Sequence, residues 1–275
     1  IWIVLGVVII SIAFPEAYGV ILSSLYLPVT LMLMGLILRG VAFDFRVKAG
    51  DAQRTLWNRL FFAGSLIAAV SQGWMLGAYI TGLDSTVLNR SFAFLIALTL
   101  PALYVMFGSA WLMIKAEGEL FNRAKGWARL AVLPMGFSLL LVSIATPLVS
   151  DVIAEKWFVL PNIIGLLPIP LSSALAYGVV LLLLFRGASV AAHPAYGRVI
   201  YGCLVTICVL ATIGLAYSLY PEIVLGVITI EEAAASANAL LLVFAGTLVT
   251  LPLILLYTLY VYRVFRGKLS ELKYE

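Results

Sequence analysis

Long uncharged, apolar stretches separated by short charged ones dominate the pattern of this chain. The uncharged runs are Ile1 to Pro15, Ala17 to Leu38, Leu60 to Leu83, Ser91 to Ile114, Leu130 to Ser150, Trp157 to Phe185, Val199 to Pro221 and Ala233 to Tyr262. Seven of the eight reach or exceed the roughly 20 residues that a helix rising about 1.5 Å per residue needs to cross about 30 Å of hydrocarbon. The pattern predicts an all-α, polytopic integral membrane protein. It forms one transmembrane domain over residues 1–275, a bundle of eight helices at about 1–15, 18–39, 60–82, 91–115, 129–150, 162–185, 199–220 and 238–262. The first run is short and no Met precedes Ile1. That reads as a chain lacking its N-terminal part, with a cleaved signal peptide as the competing explanation.

The sharpest boundary lies at Leu36 to Lys48. Arg39 closes the run of 22 uncharged residues from Ala17 to Leu38, and Asp44, Arg46 and Lys48 follow. An arginine in mid-membrane is costly, so this one belongs where its guanidinium can snorkel to the headgroups. Prolines at 28, 101, 134, 161, 168, 170 and 252 fall within or beside the runs. Membrane helices tolerate them when neighbouring groups satisfy the freed carbonyls. The cluster Pro161, Pro168 and Pro170 predicts that the sixth run enters irregularly and becomes regular helix after Leu171.

Charge then orients the bundle. Eight alternating crossings divide the loops into two sets, and 15 of the 17 Lys and Arg fall in one of them. The other set holds only Arg90 and Lys156, beside Glu16, Asp84, Asp151, Glu155, Glu222, Glu231 and Glu232. Short basic loops stay in the cytoplasm, which places the C-terminus there and the acidic loops outside. The formal charge of +4 thus follows membrane topology, not a nucleic-acid partner.

Composition agrees: 64% of the residues are hydrophobic, 11% are charged, and mean hydropathy is +1.12. From Leu60 to Tyr262 no apolar run contains an Asp, Glu, Lys, Arg or His, whereas pumps and coupled transporters usually bury such groups. A permease remains the alternative function. Small and hydroxylated residues such as Ser71, Gln72, Thr99, Ser109 and Ser138, with Gly64, Gly73, Gly77, Gly108, Gly178 and Gly214, suit close helix packing. Cys203 and Cys208 lie on different helix faces and form neither a disulfide framework nor a metal pair. The single histidine, His193, lies in the turn-like AAHPAYG, and the six methionines are scattered. The chain shows no paired axial ligands for a haem and no metal motif.

Several segments carry a family resemblance. The stretch AFPEAYGVILSSLYLPVTLMLMGLILRGVAFDFRVK resembles the second and third helices of subunit II of the cytochrome bd-type quinol oxidases, where a helix ends in Arg before GFD or AFEF and then R-x-K. EGELFNRAK (Glu117 to Lys125) is similar to the loop after that family's fifth helix. YPEIVLGVITIEEAAAS and LPLILLYTLYVYRVFRGK are similar to its last outer loop and last helix. The resemblance is collinear over nearly the whole chain, but the family's first helix, with its Gly-Phe-Asp motif, is absent. Eight helices here would make nine in the full family.

The resemblance implies a non-haem-ligating subunit of a heterodimeric respiratory quinol:dioxygen oxidoreductase in a bacterial or archaeal cytoplasmic membrane. The partner, subunit I, would ligate two haems b and one haem d, oxidise quinol and reduce O2 to water with cytoplasmic protons. This chain would complete the apolar enclosure. A bound structural quinone and a small single-helix accessory subunit are further candidates. Arg39, Asp44 and Arg46 match the inner-face motif and become proton-entry or subunit-interface candidates, either as a charge-assisted network or as an ion pair that only anchors a helix end. Glu117 and Glu119 match the GEL loop, with a solvated surface as the alternative. Trp2 matches a family Trp that could line an oxygen route, against simple packing or lipid exposure.

Overall fold

A computed structural model describes residues 2–149, 151–158, 165–186 and 195–267. Its helices are α1 (Trp2–Ala13), α2 (Pro15–Lys48), α3 (Asp51–Ile80), α4 (Val87–Lys115), α5 (Gly118–Val149), α6 (Asp151–Phe158), α7 (Pro168–Phe185), α8 (Tyr196–Leu219), α9 (Ile230–Ala233) and α10 (Ala237–Val264). Two short strands, β1 (Glu222–Val224) and β2 (Ile228–Thr229), precede α9. His193, Pro161 and the last basic residues, Lys268 and Lys273, lie outside the described residues.

Among the described residues seven helices, α2, α3, α4, α5, α7, α8 and α10, are long and apolar enough to cross a membrane. The described part of the first apolar run, α1, has 12 residues and rises about 18 Å. Pro15 explains where it stops. Proline drives the preceding residue out of the helical region, and Phe14 has φ −137° and ψ 63°. The ladder resumes at once, since Tyr18 N–H donates to Phe14 C=O at 2.9 Å. Thus a single non-helical residue, Phe14, separates α1 from α2.

At the basic end the helices run further than hydropathy alone places them. The charged segment Asp44 to Lys48 stays inside α2, and only Ala49 and Gly50 separate it from α3. The 34 residues of α2 rise about 51 Å, so the helix projects well beyond the hydrocarbon. Charged side chains there reach water without ending the helix. In the same way α5 begins at Gly118, ahead of its apolar run. Pro28, Pro101, Pro134 and Pro252 sit inside continuous helices.

Consecutive helices α2 to α5 pack side by side, α8 lies against α4 and α7, and α10 touches chiefly α1. The α2–α3 and α3–α4 crossings are backbone to backbone. A Cβ on Gly35 would lie 2.7 Å from Gly64 O, one on Gly73 2.6 Å from Ala97 Cα, and one on Gly77 2.5 Å from Ala93 Cα. The reversed order of the last two pairs shows α3 and α4 to be antiparallel. The GxxxG at Gly73 and Gly77 is therefore a real packing device, used here within one chain. Gly108 and Gly178, expected to serve the same purpose, face open space. The principal core joins α4, α5, α7 and α8 around Met106, Met113, Val132, Met135, Val180, Leu184, Ile200 and Leu204.

The two ends of the bundle differ in construction. At one end the β1–β2 hairpin folds over α1 to α3. Tyr79 O–H donates to Ile223 C=O at 2.5 Å, Val224 and Ile228 pack on Ala17, and Ala235 N–H donates to Ala13 C=O. The opposite end is basic. Lys115 Nζ donates to the Phe265 and Gly267 carbonyls, and Arg129 Nε donates to Leu184 C=O at 2.8 Å.

Candidate functional site

The helical conformation of residues 36–48 decides how the inner-face motif is presented. Arg39, Asp44 and Arg46 are all exposed. Side chains five and two positions apart do not face one another on a helix. Accordingly, the ion pairs among the described residues are Asp51–Arg54 at 2.8 Å and Glu119–Arg123 at 2.6 Å, and none joins Asp44 to Arg39 or Arg46. The network expected between the motif residues is not made within this chain. Arg46 instead donates from Nε to Asn58 Oδ1 at 2.5 Å across the α2–α3 turn, beside Phe45 stacked on Trp57.

Arg39 is held through its backbone. Gly64 of α3 lies so close that a Cβ there would approach Arg39 N to 2.9 Å. Its side chain is exposed, at the level where the apolar run ends. Glu117, in the α4–α5 turn, and Glu119, in the first turn of α5, sit at the same basic end, and both are exposed. Gly118 between them adopts φ +61°, a left-handed value that glycine takes without strain. Trp2, half exposed on α1, stands apart from these groups. Arg39, Asp44, Arg46, Glu117 and Glu119 thus share an end of the bundle without converging on a point.

The most connected polar groups lie within the spans. Tyr104 O–H donates to Gln72 Oε1, and Gln72 Nε2 reaches Met32 Sδ at 3.5 Å, linking α4, α3 and α2. Thr99 and Ser138 hydroxyls bond at 2.8 Å between α4 and α5. Trp157 Nε1–H donates to Ser218 Oγ at 2.9 Å, tying α6 to α8. Spacing along one helix could not reveal these pairs, because each depends on the register between two helices. Outside the membrane, the Glu232 carboxyl is held below the usual carboxylate range by hydrogen bonds from the Thr229 backbone N–H and hydroxyl.

The profile of the cytochrome bd terminal oxidase subunit II family matches residues 1–265. The chain belongs to that family. It is 24% identical over 290 residues to cytochrome bd ubiquinol oxidase subunit 2 of Bacillus subtilis, covering 98% of this chain and 81% of that protein. It is likewise 24% identical over 315 residues to cytochrome bd-I ubiquinol oxidase subunit 2 of Escherichia coli K12, with the same coverage. The fold is similar to that of a chain of the bd oxidase from Geobacillus thermodenitrificans, with TM-score 0.67 and 16% identity over 93% of this chain and 78% of that one. A member of the subunit II family is part of a respiratory terminal oxidase and not a transporter, and it works as a multi-pass bacterial membrane protein beside a subunit I in a haem-containing complex.

Among the described residues of this subunit II no side chains are gathered as a haem site. Its single histidine lies outside the described residues. Met106, Met113 and Met135 are 0%, 3% and 1% exposed, closed into the apolar core among Ala110, Ala128 and Val132. Among the described residues no three His, Cys, Asp or Glu gather as metal ligands. No step of the reaction is assigned to a haem held by this chain.

Proposed function

We propose that this chain is the non-ligating wall of a quinol:dioxygen oxidoreductase. In this reading subunit I holds two haems b and a haem d, and the present chain closes the apolar enclosure around them. The observation that carries the reading is the family match running from residue 1 to 265. Relatives named as ubiquinol oxidase subunits support a quinol as the electron donor, with O2 reduced to water.

The charge asymmetry of 15 basic residues to two supports a cytoplasmic basic end and a cytoplasmic C-terminus. Protons for water formation would then enter from that end. Arg39, Asp44 and Arg46, splayed on α2, are proposed to face a partner or the entering protons, with Glu117 and Glu119 on the same surface. Trp2 is proposed to line an apolar oxygen route. A structural quinone and a small single-helix accessory subunit complete the proposed assembly within the bilayer.

The reading is tested by purifying the tagged chain from membranes that contain its partner, then following O2 consumption on addition of quinol. Co-purification of a haem-bearing subunit with quinol-dependent O2 uptake is expected. Recovery of the chain without a partner, or a complex that consumes no O2 with any quinol, would overturn it.

A further inference from the structure

At the basic end, Lys125 and Arg129 stand one turn apart on the same face of α5. Of the helices that meet there, α7 and α8 contain no Asp or Glu and α5 only Glu119, and the sequence between Arg186 and Arg198 has none. Like charges at this spacing repel. Their neighbour Arg123 is neutralised by Glu119, but Lys125 and Arg129 have no such partner among the described residues.

Both cations are nevertheless held in place. Lys125 Nζ lies 5.4 Å from the centre of the Tyr196 ring, and Arg129 Cζ lies 5.8 Å from that of Phe185. Tyr196 is itself fixed, 3% exposed, with its hydroxyl donating to Leu183 C=O at 3.1 Å. The next residue, Gly197, is pressed so tightly on α4 that a Cβ would lie 2.9 Å from Ile114 N. Arg129 spends its Nε–H on Leu184 C=O, which leaves the terminal N–H groups for an acceptor from outside. Arg186 caps the end of α7 next to Phe185. Ordinary boundary cations splay toward water; these are organised on rings and a carbonyl around one position.

Below the charges the same stripe of α5 becomes apolar. Leu133, Phe137, Leu140 and Ile144 follow at helical spacing, and all are more than half exposed. An anionic head at Lys125 and Arg129 would therefore have its apolar continuation lying along this stripe.

We propose that Lys125 and Arg129, walled by Tyr196 and Phe185, bind the phosphate of an anionic phospholipid whose acyl chain lies along Leu133, Phe137 and Leu140. Basic pockets between membrane helices on the positively charged side suit such headgroups. The apolar track favours a lipid over a free anion, which would use only the charges. The site is built from this chain alone and does not depend on which quinol or haem the complex uses.

The test uses the intact oxidase complex in nanodiscs of phosphatidylcholine with a minor fraction of phosphatidylglycerol. The complex is extracted into detergent and washed, and its retained lipids are measured by mass spectrometry. The wild type is expected to retain phosphatidylglycerol selectively. Lys125→Gln should retain about fivefold less, while Lys125→Arg restores retention and Arg123→Gln, which removes an already neutralised charge, leaves it unchanged. Lys125 makes no hydrogen bond among the described residues, so Lys125→Gln is expected to assemble, and the haem absorbance of each preparation checks this. Arg129→Gln would also free the Leu184 carbonyl, so it serves only as the second step of a double variant. Retention equal in Lys125→Gln and wild type would overturn the site. So would an equal loss in Arg123→Gln, or displacement of the lipid by inorganic phosphate alone.

Discussion

The core helices and the last helix obey the same hydropathy and do opposite things with it. The most apolar window of α4 has a mean hydropathy of 1.9 and is 33% buried within the chain, whereas that of α10 has 2.6 and is 0% buried. In water the greasier helix would be the inner one. In a bilayer the lipid tails are as apolar as leucine, so burial goes to the helices whose surfaces allow close backbone approach. The glycines and alanines at the α3–α4 crossing supply that approach. Gly246 of α10 meets nothing within 4 Å. In the isolated chain α10 is tethered near its ends, by Ala235 to Ala13, by Tyr262 against Trp111, and by Lys115 on the Phe265 and Gly267 carbonyls.

The strongest way to break this contrast is to put side chains where the backbones touch. Gly77→Leu must force α3 from α4 and is expected to destabilise the chain by about 3 kcal/mol or more, read as lost folded yield and lowered thermal stability. Gly246→Leu on α10 should change stability by less than about 0.5 kcal/mol. Equal effects at the two positions would mean that the crossing is not what holds the bundle. Next in size, Lys115→Met removes a cation from the C-terminal carbonyls of α10, a contribution of about 1 kcal/mol. Faster amide exchange confined to residues around 258–267 is expected, with α4 unchanged.

A smaller effect sharpens the role of polar groups inside the core. Thr99→Val deletes the bond to Ser138 between α4 and α5 and should cost about 0.6 kcal/mol, the usual size for an interhelical hydrogen bond in a membrane. A loss several times larger would point to a wider network through the core. The smallest is a pH effect on the α9 cap. Glu232 has its carboxyl lowered from an ordinary value of 4.5, so its capping contribution is complete above that value and fades as pH falls through the lowered one. Amide exchange of Thr229 and Glu232 should quicken only in that acid range, and Glu232→Ala should abolish the pH dependence.

Much of this architecture is legible in the chain itself, because a bilayer imposes length and charge rules that leave marks on single residues. The apolar runs locate the spans, and the Lys and Arg bias separates the two ends. What escapes is whatever depends on the neighbour. Helix ends beyond the apolar runs are invisible to hydropathy, since Asp44 to Lys48 are as comfortable in a projecting helix as in a loop. The splaying of Arg39, Asp44 and Arg46 follows from that helix and removes the network that their spacing in the sequence invites. The Gln72–Tyr104 and Thr99–Ser138 pairs need an inter-helix register that no single run contains. The β1–β2 hairpin is too short to show alternation, and Pro15 looks like one of many tolerated prolines although it divides α1 from α2.

In the proposed reading this subunit encloses a haem chemistry that its partner ligates. The most direct measurement is the haem-to-protein ratio, by absorbance after conversion to the pyridine complex, of this chain purified alone and with its partner. The account predicts haem with the pair and none with the chain alone. A stoichiometric haem on the isolated chain would contradict it.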